Sequence, residues 1–262
     1  MPYLQQHTQA ADPPHQLYYL LLDGNSALPY LVFLHEGLGC TAMWGDFPAK
    51  LCAATDCPGL VYDRLGHGQS SPLIHKRTMR YLHDSALCEL PQLLHKIIPQ
   101  TPYILIGHSD GGSISLISGA ERAPLLRGII TEAAHIVVEE RTLRAIKTTD
   151  AAWAGGKLKS LTKYHGDKTN TLYHAWSGTW LSDCFSSWNI EYLLPSIRAP
   201  LLVIQGTDDQ YASANHASRI AAQTGGSARV EMVKGCAHVP HREAQAVVLQ
   251  LMVEFISQFF TN

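Results

Sequence analysis

The stretch Gly107-His108-Ser109-Asp110-Gly111-Gly112 decides how this chain is read. It is a G-x-S-x-G pattern with an apolar run, Tyr103-Ile104-Leu105-Ile106, before it. After it comes a small-residue helical pattern that runs through Gly119 and Ala120. A strand that passes at once into a helix must turn tightly, and the residue at the turn is held in a strained backbone conformation. Glycines two residues before and after it let neighbouring backbone pass close. A serine in that position projects its hydroxyl at the sheet edge, at the positive end of a helix. Ser109 is therefore the candidate nucleophile.

Working outward, the same kind of apolar run recurs. Leu17–Leu22 is turned by Asp23-Gly24-Asn25, and Tyr30–Leu34 ends at His35. Leu60–Tyr62 ends at Asp63, Arg127–Ile130 near Glu132, Leu201–Ile204 at Gln205-Gly206, and Arg229–Val233 comes last. Runs without polar alternation fit strands covered on both faces. Helical patterns lie between them, at roughly 80–98, 111–122, 212–223 and 242–260. Strands alternating with helices predict an α/β fold, a doubly wound and mostly parallel sheet. Chemistry in such sheets sits at the carboxyl ends of the strands. Residues 133–195 break the alternation and hold four of the five Trp. They are expected to form a small helical cap over the strand ends, with the core made of 1–132 and 196–262. Residues 1–15 read as a loose or edge-hugging lead-in.

Composition removes several function classes. The chain has 262 residues, with 46% hydrophobic and only 16% charged, against roughly 25% charged in an average domain. Twenty Lys and Arg stand against 22 Asp and Glu, so no basic field exists to hold nucleic acid or an anionic membrane. The apolar runs are far shorter than the roughly 20 residues of a membrane-spanning helix. The N-terminal residues Met1-Pro2-Tyr3-Leu4-Gln5 lack the pattern of a signal peptide. Six scattered Cys read as reduced thiols of a cytoplasmic protein. The charge-poor surface permits either a monomer or a homodimer.

A serine hydroxyl needs a base, and the base needs an orienting carboxylate. His238 follows the last strand pattern and precedes the last helix pattern, where the chain order Ser, acid, His requires it. His241 is its competitor. The acid comes from Asp208 or Asp209 in Gly206-Thr207-Asp208-Asp209, with Glu132 as a third possibility. An oxyanion hole needs two backbone N–H donors. Asp110, the residue after the nucleophile, supplies one. Gly37, in the loop His35-Glu36-Gly37-Leu38-Gly39-Cys40, supplies the other. The turn Asp63-Arg64-Leu65-Gly66-His67-Gly68 is expected to brace that loop. Glu36, Glu132, Trp153, Trp176 and Trp180 are candidate pocket residues. The spacing His238-x-x-His241 is too short for a metal site, and neither metal nor cofactor is expected.

Together these segments resemble the α/β-hydrolase superfamily over nearly the whole chain. In similar enzymes the acid stands three residues after the glycine that ends its strand, which points to Asp209. Glu36 departs from the pattern, because a Gly commonly follows that His. The Ser-Asp-Gly-Gly sequence is similar to that of biphenyl-hydrolase-like enzymes, in which the acidic residue after Ser helps bind a substrate ammonium. The resemblance implies a serine hydrolase of a small carboxylic ester or thioester. Its alternatives are a C–C bond hydrolase of ring-fission products, an α-amino acid ester hydrolase, a cofactor-free oxygenase and a non-enzymatic ligand-binding protein.

Overall fold

Strand residues of alternate parity build the two faces of the central sheet. Leu31, Phe33, Ile104, Ile106, Leu202 and Ile204 belong to one apolar layer. Val32, Leu34, Leu105, Leu201 and Val203 belong to the other. A computed structural model describes residues 3–6 and 15–259. Its strands are β1 (Tyr3–Gln6), β2 (His15–Leu22), β3 (Tyr30–Leu34), β4 (Gly59–Tyr62), β5 (Tyr103–His108), β6 (Leu126–Glu132), β7 (Leu201–Gly206) and β8 (Ala228–Val233). They pair in the order β1-β2-β4-β3-β5-β6-β7-β8. The β1–β2 and β2–β4 pairs are antiparallel, and every pair from β4 through β8 is parallel. The expected α/β class and mostly parallel sheet are present.

The helices are α1 (Phe47–Thr55), α2 (Tyr81–Asp84), α3 (Leu90–Ile97), α4 (Asp110–Ala120), α5 (Glu140–Ala154), α6 (Thr162–His165), α7 (Thr169–Trp180), α8 (Ala214–Gln223), α9 (Pro240–Glu243) and α10 (Gln245–Ser257). The helix read at 80–98 is α2 and α3 joined by a π-turn at Ser85–Glu89. Pro91 lies just beyond that turn and has no N–H to donate back into it. The last helical pattern, read to 260, is described as far as Phe259. Of the lead-in, Tyr3–Gln6 runs along the sheet edge as β1, and 7–14 lie outside the described residues. Apolar side chains of α1 and α10 cover one face, and those of α3, α4 and α8 cover the other.

Register aligns the carboxyl ends. Leu34 lies beside Gly107, His108 beside Glu132, Glu132 beside Ile204, and Gly206 beside Val233. The loops that leave β3, β5, β6, β7 and β8 therefore open at one edge. Between β6 and β7 the chain forms α5, α6, α7 and short 3-10 turns. Its extended contact is a single bridge, Val137 to Asn189. Among the described residues, no helix is long and apolar enough to cross a membrane.

Candidate active site

Ser109 sits between β5 and α4 with φ 52° and ψ −113°. Such a backbone costs a non-glycine residue about 1–3 kcal/mol and persists only where its surroundings enforce it. Those surroundings are backbone. A methyl group on Gly107 would lie 2.1 Å from the Gly111 carbonyl oxygen, and one on Gly111 would lie 2.0 Å from the Leu34 carbonyl oxygen. The Ser109 N–H donates to the Glu132 carbonyl at 2.8 Å, which ties the turn to β6.

Three side chains converge there. The Ser109 hydroxyl lies 3.0 Å from His238 Nε2. His238 Nδ1 lies 2.9 and 2.8 Å from the two carboxylate oxygens of Asp209. With Nδ1–H facing a carboxylate, Nε2 is the acceptor for the hydroxyl proton. Asp209 is 1% exposed. Its carboxylate also accepts the N–H groups of Tyr211 and Ala212 at 2.7 and 3.0 Å and the Gln205 amide at 2.6 Å. Burial pushes the Asp209 pKa up. The bonds to His238 and to the two backbone N–H groups outweigh it and hold the value down to about 2. His108 Nε2 lies 2.7 Å from the His238 carbonyl oxygen and anchors that loop from behind.

The other two acid candidates are engaged elsewhere. Asp208 is exposed and accepts the Thr207 hydroxyl. Glu132 is fully buried and accepts both the His241 N–H at 2.8 Å and its Nδ1 at 3.2 Å. His241 packs its ring 4.4 Å from that of Trp44. The expectation of Glu132 as a pocket residue is thus corrected: it braces His241 under the sheet end and does not border the cavity described below.

The loop after β3 is held by hydrogen bonds to most of its carbonyls and to two of its N–H groups. The Leu38 N–H donates to Glu36 Oε2 at 2.6 Å, and the Gly39 N–H donates to the Glu36 carbonyl at 3.1 Å. His165 Nε2 donates to the Leu38 carbonyl at 2.8 Å while its Nδ1 accepts the Gly68 N–H at 2.9 Å. Of the N–H groups of residues 37–39, only that of Gly37 is left without a bond among the described residues. The Asp110 N–H begins α4, and helix geometry leaves such a group without an intrahelical partner. The Glu36 carboxyl fastens its own loop, and burial raises its pKa.

Ser109, Asp110, Gly37, Glu36 and His238 border one cavity of about 250 Å³. Its remaining wall is largely apolar: Met43 from the core, Ile146 from α5, Leu158 and Leu161, and Trp176 and Trp180 from α7. Trp153 does not border it. That ring stacks on Tyr173 with centroids 4.0 Å apart, between α5 and α7, so its expected pocket role is corrected as well. The Asp110 carboxylate accepts the Tyr81 hydroxyl at 2.8 Å and faces the Arg64 guanidinium at 3.8 Å. Tyr81 in turn accepts the Trp180 indole N–H at 2.8 Å.

Several of these partners were not legible as site residues. Gln205 ends an apolar strand, Tyr81 opens a helix, and Arg64 sits in a glycine turn. His135 also borders the cavity, with its ring 5.9 Å from that of His238, and burial lowers its pKa. A buried polar side chain near the strand ends is the common signal, and it becomes visible only with the topology.

Residues 31–251 match the family model described as the alpha/beta hydrolase family. The monoglyceride lipase of Rattus norvegicus is 23% identical over 246 residues, which is 86% of this chain and 80% of that protein. A hydrolase from Pseudomonas aeruginosa superposes with a TM-score of 0.71 at 20% identity over 97% of both chains. An esterase from Thermogutta terrifontis superposes with a TM-score of 0.70 at 17% identity, over 98% of this chain and 99% of that one. A family model that runs from β3 through β8 and takes in the elbow and the His238 loop leaves one conclusion: the chain belongs to the alpha/beta hydrolase family.

Proposed function

We propose that this chain is a serine hydrolase that cleaves a small carboxylic ester or thioester through an acyl-enzyme on Ser109. The observation that carries this reading is the continuous relay from the Ser109 hydroxyl through His238 to Asp209, opening on an apolar cavity beside two unspent backbone N–H groups. The lipase and esterase among its relatives support ester chemistry.

In the first step His238 Nε2 takes the proton from Ser109 as Oγ bonds to the carbonyl carbon. The carbonyl oxygen gains the negative charge and meets the N–H groups of Gly37 and Asp110. Each such donor is worth about 3–4 kcal/mol in the transition state. The tetrahedral centre collapses, the bond to the leaving oxygen or sulfur breaks, and His238 gives that atom its proton. Water then loses a proton to His238 and adds to the acyl carbon. Ser109 departs with that proton, and the acid is released. Asp209 keeps the imidazole in the productive tautomer and stabilises its charged form.

The cavity volume of about 250 Å³ falls just under the roughly 300–1,000 Å³ of drug-sized sites, which favours a short acyl group. The Asp110 carboxylate already serves Tyr81 and Arg64, which favours a neutral substrate over an α-amino ester. A panel of p-nitrophenyl esters of rising chain length, with one thioester and one α-amino ester, tests this on wild type beside Ser109→Ala. The expected result is turnover that peaks at a short acyl chain and falls at least about a thousandfold in the variant. Wild-type turnover retained by Ser109→Ala would remove Ser109 from the reaction.

A further inference from the structure

Among the described residues Arg64 is the largest of the fully buried side chains, at 2% exposure, and it meets a carboxylate only at the long end of salt-bridge distance. Its nearest is Asp110, at 3.8 Å. Its short bonds go to backbone. Nη2 donates to the Glu36 carbonyl at 2.7 Å and to the His35 carbonyl at 3.2 Å. The Arg64 N–H donates to His35 Nε2 at 3.1 Å, which makes Nε2 the bare nitrogen and leaves the proton on Nδ1. That Nδ1–H donates to the same Glu36 carbonyl at 2.8 Å. With the Gly39 N–H, three donors meet on one oxygen.

The consequence lies on the other side of the peptide. The Glu36 carbonyl and the Gly37 N–H belong to one planar trans unit, in which C=O and N–H point in opposite directions. Fixing the oxygen fixes the hydrogen. Because one of the donors is a buried cation, the peptide is also polarised, and hydrogen bonds in a chain strengthen one another. Arg64 further lies between both donor-bearing residues, since its other nitrogen faces the side chain of Asp110.

We propose that Arg64 is a positioning residue of the oxyanion hole: it locks and polarises the Glu36–Gly37 peptide so that the Gly37 N–H stands ready for the developing negative oxygen. This rests on the acyl-enzyme reading above. Arg64 touches no reacting atom, so its effect appears in the transition state and not in ground-state binding.

The test compares wild type with Arg64→Met and Arg64→Lys. The readouts are kcat, KM, and the inhibition constants of a trifluoromethyl ketone and the methyl ketone of the same shape. The fluorinated ketone adds to the serine and places an alkoxide in the hole; the methyl ketone only fills the cavity. In Arg64→Met, kcat and trifluoromethyl ketone affinity fall together, by about a hundredfold, while KM and methyl ketone affinity stay within about threefold. Arg64→Lys recovers part of the loss. Where Arg64→Met does not fold, Arg64→Lys carries the test, with about a tenfold loss of both quantities expected. Parity with wild type in the folded variant would overturn the inference. So would equal losses for both ketones, which mark a merely structural role. Ser109→Ala in the same assay separates the two claims. If it keeps full turnover the underlying reading falls, and if it is inactive while the Arg64 variants match wild type only this inference falls.

Discussion

The elbow and its facing loop, residues 35–40 and 107–112, differ in kind from the wall built by 133–195. In the first region it is the backbone that is held, by other backbone and by the buried side chains of His35 and Arg64. Gly111 stands against the Leu34 carbonyl, the Glu36 oxygen holds three donors, and Ser109 is kept at a positive φ. In the second, side chains meet side chains. Trp180 packs edge-on to Phe185 and Trp188, Trp153 lies flat on Tyr173, and a few hydroxyls tie the helices down. Thr149 bonds the Tyr211 hydroxyl at 2.6 Å, and Tyr173 donates to Asp150 at 2.7 Å. Backbone constraint admits almost no substitution. Aromatic packing admits many, as long as volume is kept. A fixed reacting centre under an adjustable wall is how one fold serves many substrates.

That contrast can be broken at either end. The largest effect is expected at Gly111→Ala. Its new methyl group meets the Leu34 carbonyl oxygen at 2.0 Å and neither backbone can yield. A loss of about 3 kcal/mol or more in urea unfolding, with no turnover, is the expected outcome. Full stability in that variant would mean the elbow is looser than its geometry implies. On the wall, Trp176→Leu removes ring volume from the cavity and leaves the fold standing. The acyl-length optimum then moves to longer chains, and the shortest ester loses about tenfold in kcat/KM, read from the same ester panel. Trp153→Leu gives the smallest effect. It loses its stacking partner and some stability, about 1–2 kcal/mol, but keeps the acyl profile of wild type, because Trp153 lies outside the cavity lining. A shifted profile in Trp153→Leu would erase the distinction between the two tryptophans.

Legibility in the sequence follows the same division. The strands could be read because continuous burial writes continuous apolar runs, and the elbow because its glycines are steric necessities. The loops that end those strands offered Ser109, His238 and a choice of Asp208, Asp209 or Glu132 as the acid, and the family resemblance pointed to Asp209. The helix α1 was not legible and Tyr3–Gln6 was read only as part of a loose or edge-hugging lead-in, since Phe47–Thr55 mixes Pro with small residues and Tyr3–Gln6 is half polar. Counting tryptophans in 133–195 marked an aromatic region without saying which ring faces the cavity. Helix α5 buries only Thr142 and Ile146, too few positions to set its phase. The turn at 63–68 was legible as a brace of the oxyanion loop, but the particular contacts of Arg64, and the role of Tyr81, were not. Their partners are a carbonyl and a carboxylate far along the chain, and no local pattern encodes such a pairing.

The central claim is that Ser109 carries the acyl group. Its most direct measurement is intact-mass and peptide-level mass spectrometry of the wild-type protein, acid-quenched within milliseconds of mixing with an excess of p-nitrophenyl butyrate. The account predicts a covalent butyryl adduct on the peptide that contains Ser109, formed in step with a burst of p-nitrophenol and absent from Ser109→Ala. Steady turnover with no adduct, or an adduct on another residue that persists in Ser109→Ala, would contradict it.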